Sequence, residues 1–346
     1  MPINGFFGNP IQVNVPYLDL SNNLRVKYGR NPKSIRNRLN RWTKQSVVPA
    51  MFGNYLYFDP AYIGRLGADA TWAYNSNRPE QLNDGETFTT KRFECVRYQF
   101  EDSLDLTVEQ AANFPVQKIV TEAIAMRAML NRTKKMVDVA TTSGNYASAN
   151  VVTANTAAGG FLDTGTTANP VILNAFNYAR NLIQLGTASS FEGGEFGVLM
   201  NPVTARKLMA TRELREYLMQ MGNSINMIAG NKDDVYWAGE GLPSFLYNAA
   251  VIVENATYNT NNIGAASDVQ SYIFPDNTLV FFVREGDLDL EDGSMFSTFT
   301  QFVHEDMTVE AITDQWNRRI KFAVTDNFVG KMTAQPSGVL MTNIFS

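Results

Sequence analysis

His304 and Cys95 are the only histidine and the only cysteine in 346 residues. Between them they exhaust the side chains best suited to acid, base or nucleophilic chemistry near neutral pH. His304-Glu305 opens like the helix of a zinc protease, but that motif needs a second histidine at position 308, which is Thr. A serine triad would need His304 as its base, and no Gly-x-Ser-x-Gly elbow is present. A lone thiol forms neither an intrachain disulfide nor a thiolate zinc cluster. No catalytic residue, metal set or cofactor is expected.

Phosphate and cation motifs fail in the same way. Gly239-x-Gly241 is followed by Ser244 where a dinucleotide fold needs its third glycine, and Pro243 sits where the phosphate-binding helix should open. No Walker sequence occurs. The run Glu285, Asp287, Asp289, Glu291, Asp292 and Gly293 resembles a calcium loop, yet counting from Asp287 puts Asp292 at the glycine position and Thr298 at the bidentate glutamate position. Asp287, Asp289 and Glu291 share one face of a period-two stretch, which predicts a solvated strand face or a salt-bridging interface in preference to a cation site.

The strongest charge signal is basic. Arg25, Lys27, Arg30, Lys33, Arg36, Arg38, Arg41 and Lys44 follow one another with no acid among them and with Tyr28 and Trp42 interleaved. Such a run can contact phosphates, or it can grip acidic surface on neighbouring subunits. With Asp19 as the one acid in the first fifty residues, that segment carries about +7 and the remainder about −12, within a net charge of −5. The two parts can attract.

The element that must position everything else is a long helix predicted from Asn113 to Thr142. Val116, Ile119, Ala123, Met126, Leu130, Thr133, Val137 and Ala140 recur three and four apart and make one stripe. Asn113 and Pro115 suit its start, Ser143 and Gly144 its stop. Arg127, Arg132, Lys134 and Lys135 fall in its second half, as the helix dipole favours. The stripe fits a spine packed on a sheet, and also a coiled-coil seam.

Around it, residues 1–24 read as an apolar extended arm that needs a groove. Residues 68–100 read as a β-hairpin turning at Asn83, Asp84 and Gly85. Val96, Tyr98 and Phe100 share one face of its return strand, while Lys91, Arg92 and Glu94 make both faces polar nearer the tip, so it should project and rest on something else. Asn169 is expected to cap a helix carrying Ile172, Phe176, Ala179 and Ile183, ending at Gly186. Strands at 196–200, 247–253, 271–274 and 278–283 alternate with helical stretches and indicate a mixed α/β unit inserted at 166–290. The last sixty residues look all-β, with Trp316, Ile320, Phe322 and Val324 on one face and a short strand at 338–341. They supply the sheet for the long helix. No apolar run approaches the length of a membrane span, so no membrane partner is expected.

This order of elements resembles the major capsid proteins of tailed bacteriophages, the Hong Kong 97-type or Johnson fold, an α+β class. Local echoes are Met200-Asn201-Pro202 before a helix with Ala205 and Leu208, Gly241-Leu242-Pro243 before the strand at 247–253, and the carboxyl-terminal RRIKFAVTDNFVGKMTAQPSGVLMTNIF. The resemblance implies an N-terminal arm (1–56), an extended hairpin or E-loop (57–103), the spine helix with the first part of a peripheral domain (104–165), an axial domain (166–290) and the β part of the peripheral domain (291–346). It implies self-assembly into hexamers and pentamers of an icosahedral virion shell around double-stranded DNA. The partners it implies are a portal protein, a decoration protein and, since no long charged helical leader precedes the arm, a separate scaffolding protein. An encapsulin-type compartment shell of the same fold is the alternative, and an α/β enzyme or small-molecule binder the alternative of another class.

Overall fold

In the computed structural model the described residues are 15–16, 35–57, 90–105, 107, 111, 116–187, 194–220, 237–261, 267–284, 297–314 and 318–346. The hairpin turn at 83–85, the helix start at Asn113 and Pro115, and Trp316 lie outside them. In chain order the strands are β1 (Val15–Pro16), β2 (Lys44–Val47), β3 (Phe52–Leu56), β4 (Thr90–Glu94), β5 (Val96–Asp105), β6 (Val151–Thr153), β7 (Glu195–Met200), β8 (Trp237–Gly239), β9 (Leu242–Pro243), β10 (Phe245–Leu246), β11 (Ala249–Val253), β12 (Thr257–Asn259), β13 (Gln270–Tyr272), β14 (Thr278–Arg284), β15 (Phe299–Asp314), β16 (Arg319–Met332) and β17 (Val339–Thr342). The helices that matter below are α1 (Ile35–Trp42), α2 (Val116–Thr141), α3 (Val171–Gly186), α4 (Pro202–Ala210) and α5 (Arg212–Gln220).

Two sheets organise the chain. One has the order β1-β15-β16-β5, with β2 also paired in parallel to β15. The other has the order β10-β11-β7-β14-β17-β6. The middle residues of its central strands are apolar, as strands covered on both faces must be. Alternate side chains sort to its two faces: Val198, Val251, Leu279, Phe281 and Val283 join one core with α3 and α4, and Leu199, Ile252, Val280 and Phe282 join a second. That second core also takes Phe299 and Met332 from the other sheet and Met136, Val137 and Ala140 from α2. It is the seam between the sheets.

Helix α2, 26 residues long, lies over β5, β15 and β16. Its small buried positions Thr121, Ala125, Ala128 and Ala140 let the backbones approach, and Gly330 on β16 leaves room for the Met136 side chain, which a Cβ there would strike. The expected stripe holds for Thr133, Val137 and Ala140, which are buried. Nearer the amino end it is rotated: Ile119 and Met126 are 52% and 40% exposed, and Ile124, Ala125, Ala128 and Met129 face the sheet instead. That half of the helix is apolar on nearly every side, so spacing alone admits two stripes.

Three further expectations are corrected. The carboxyl-terminal strand β17 does not extend the sheet under α2. It pairs antiparallel with β14, and parallel with β6, in the six-stranded sheet. The base of the hairpin buries a face of its own, because Phe93 stacks on Phe302 at 4.6 Å and Cys95 is sealed beside them with Val48. Asn169 does not cap α3. The residue ahead of the helix is Pro170, which gives no side-chain cap, and the carboxylate of Glu213 on α5 accepts from the free amides of Ile172 (2.8 Å) and Leu173 (3.0 Å). An anion at a helix start satisfies both the free donors and the dipole. On α4 the cap is local, with Asn201 accepting from Thr204 N at 2.7 Å and Pro202 in the first turn.

Candidate assembly surface

Among the described residues no group of three or more His, Cys, Asp or Glu could hold a metal ion. His304 uses Nδ1 on the carbonyl of Val48, 3.1 Å away. Cys95 donates its thiol to the carbonyl of Phe302, and burial pushes that thiol up from its ordinary pKa. Both belong to the packing of the hairpin base. No helix among the described residues is long and apolar enough to cross a membrane.

Of the basic run, Arg25, Lys27, Arg30 and Lys33 lie outside the described residues, as do Asp287, Asp289 and Glu291. The other four basic residues sit on α1 and β2. Arg36 reaches Asp306 on β15 at 2.5 Å, and Arg38 approaches Glu254, just beyond β11, at 3.7 Å. Arg41 is exposed, and Lys44 is half-buried on β2. Two members of the run are therefore held by carboxylates of their own chain.

Asp306 is also within 3.0 Å of Arg132 on α2, whose guanidinium forms a bidentate pair with Asp326 on β16. A bulge makes this possible. Between Val303 and Thr308 the register of β15 against β16 shifts twice, and Met307 takes φ +45. The irregularity turns Asp306 towards α1 and α2. These acids carried a sequence signal that periodicity passes over: Asp326 and Glu254 are single charges at or inside strongly apolar runs, FAVTDNF and AVIVE. A lone charge in a buried strand needs a partner.

The outer surface is apolar in places. Phe52 (63% exposed) and Val96 (47%) lie together where the hairpin leaves the sheet, since Phe52 pairs with Glu94 and the Cys95 amide donates to Met51 O. Near them a cleft of about 280 Å³ is lined by Tyr98, Phe328 and Val329, with Lys135 and Asp138 on the α2 side. Apolar surface rimmed by charge suits contact with another macromolecule better than turnover of a small substrate.

No protein-family model matches this sequence, and no curated protein does. Many solved structures match it. A phage-related protein from Bordetella bronchiseptica RB50 superposes with a TM-score of 0.65 at 13% identity, over 96% of this chain and 99% of that one. The capsid of the cyanophage P-SCSP1u superposes at 0.50 with 8% identity, over 99% of this chain and 93% of its own. The chain has the Hong Kong 97-type capsid fold.

Proposed function

We propose that the chain is a major capsid protein of a tailed phage, a structural subunit without catalysis that assembles as hexamers and pentamers into an icosahedral virion shell around double-stranded DNA. The observation that carries this is the superposition over nearly the full length of both partners. The exposed apolar residues at the hairpin base and the scarcity of reactive side chains support it. In this function the chain's main partner is itself, and a scaffolding protein, a portal protein, packaged DNA and a decoration protein are further partners. In this scheme the basic residues Arg25, Lys27, Arg30 and Lys33 meet DNA or a neighbouring subunit.

Negative-stain electron microscopy of the purified chain, alone and co-expressed with a scaffold-like neighbour, tests the proposal. Closed shells or separate hexamers and pentamers are expected, and a persistent monomer or small dimer under both conditions would overturn it. Nuclease-protected DNA within the shells separates a virion from an encapsulin-type compartment.

A further inference from the structure

Helix α1 is an eight-residue segment set across the seam between the two sheets. Ile35 enters the core beneath α2 with Met307 and Phe322, while Leu39 and Trp42 enter the seam core with Ile252, Val280 and Phe299. Trp42 meets Phe299 edge-on at 5.6 Å. Its two arginines go to different sheets: Arg36 to Asp306 in the five-stranded sheet and Arg38 to Glu254 beside the six-stranded one. Thr43 then links the helix to β2, its hydroxyl donating to Leu39 O and accepting from the Gln301 amide. Strand β2 adds four residues in parallel to the edge of β15, and Val48 ends the segment against Cys95 and Phe93.

The attachments are of unequal strength. Five buried side chains (Ile35, Leu39, Trp42, Thr43 and Val48) and one four-residue parallel strand hold the segment, together with two ion pairs to elements of different sheets. The ion pairs involve side chains that are still partly wet, 17% for each arginine and 19% for Asp306. By contrast β16 is paired on both edges along most of its length. Segments with fewer long-range hydrogen bonds and partly solvated contacts open at lower free energy than the core.

We propose that residues 35–48 are a releasable strap, fastened across the seam by the Arg36–Asp306 and Arg38–Glu254 pairs, whose undocking bares Cys95. The device does not depend on the shell function and belongs to the single subunit. Cys95 is 3% exposed with Val48 packed on it, so the only thiol of the chain reports directly on the strap.

The test is maleimide labelling of Cys95 in the folded, unassembled full chain, read beside hydrogen exchange by mass spectrometry. In the double variant R36A/R38A, labelling should quicken by about tenfold and exchange should rise across 35–48, while 116–141 and 319–332 keep their protection. Arg36→Lys, which keeps the charge but not the planar fork, should fall between the two. In the wild-type chain, exchange at 35–48 should run ahead of exchange at 319–332, and raising KCl should quicken labelling. Unchanged labelling in a folded double variant, or a rise in exchange spread evenly over the chain, would overturn the proposal. If the double variant does not fold, the wild-type chain decides: exchange at 35–48 no faster than at 319–332, with labelling indifferent to salt, overturns it equally.

Discussion

Arg132 and Asp326 face each other across the interface of α2 and β16 with Nε 2.9 Å from Oδ2, their side chains only 5% and 1% exposed. The guanidinium also lies over the Phe328 ring, 5.1 Å from its centroid, and its remaining edge is bound by Asp306. Every charge in the cluster has an opposite charge in contact.

Breaking this pair from one side should therefore be expensive. Arg132→Ala leaves the buried Asp326 without its cation and should cost about 3–5 kcal/mol in urea unfolding, whereas Asp326→Ala leaves Arg132 still paired with Asp306 and should cost less. Replacing both together with apolar residues of similar size, Arg132→Met with Asp326→Leu, should recover most of that loss. A double variant as unstable as the sum of the singles would show that the two residues do not act as a pair.

What the sequence made legible, and what it hid, divides along this contact. Periodicity located α2 and its closing sheet because 3.6- and two-residue repeats are local properties of an element. Arg132 belonged to the basic residues that suit the carboxyl half of a helix, and nothing local marks it as buried. Its partner stands 194 positions away. Strand β17 was misplaced for a related reason, since a four-residue apolar strand carries no address for the sheet that receives it. The basic run was visible as a run, but the Asp306 and Glu254 that take two of its arginines were not, because a bulge and a strand end bring them there.

Glu254 gives a pH prediction. Its carboxyl is buried, Oε1 accepts from the Ala256 amide at 3.1 Å, and Oε2 has no hydrogen-bond donor. Burial raises its pKa above the ordinary carboxylate value, against the opposing pull of Arg38. A folded-state pKa above the unfolded one means that the folded chain binds the extra proton. The stability so gained is present at pH below the unfolded value and is lost as pH rises through the folded value. Glu254→Gln, which mimics the protonated form, should match or exceed the wild type in stability near neutral pH and show a flatter dependence on pH between the two values. Thermal unfolding across that range checks it. A variant less stable than wild type at neutral pH, with the same slope, would mean that the Arg38 contact outweighs the cost of burial.

Glu213 should be more sensitive than its position on a short helix suggests. It is 1% exposed, accepts two amides at the start of α3, and takes a further hydrogen bond from the Tyr247 hydroxyl at 3.3 Å. Glu213→Ala would orphan all three donors, at a cost of about 2–4 kcal/mol. Glu213→Gln keeps an acceptor and should lose roughly half as much. Equal losses for the two variants would place the whole effect in the charge.

The exposed pair Phe52 and Val96 separates stability from assembly. Neither side chain is buried in the subunit, so removing their apolar surface should change unfolding by no more than about 0.5 kcal/mol. If the chain builds shells, apolar area left bare on the subunit is area a second copy can cover, at roughly 25 cal/mol per Å² removed from water. The double variant Phe52→Ser and Val96→Ser should therefore unfold at the wild-type midpoint while its yield of closed shells, read by sedimentation and negative-stain microscopy, falls several-fold. Because each shell repeats the same contact in every subunit, a small loss per contact multiplies over the assembly and shows in yield before it shows in any single interface. Full shell yield from a variant of unchanged stability would place the contacts between copies elsewhere on the surface.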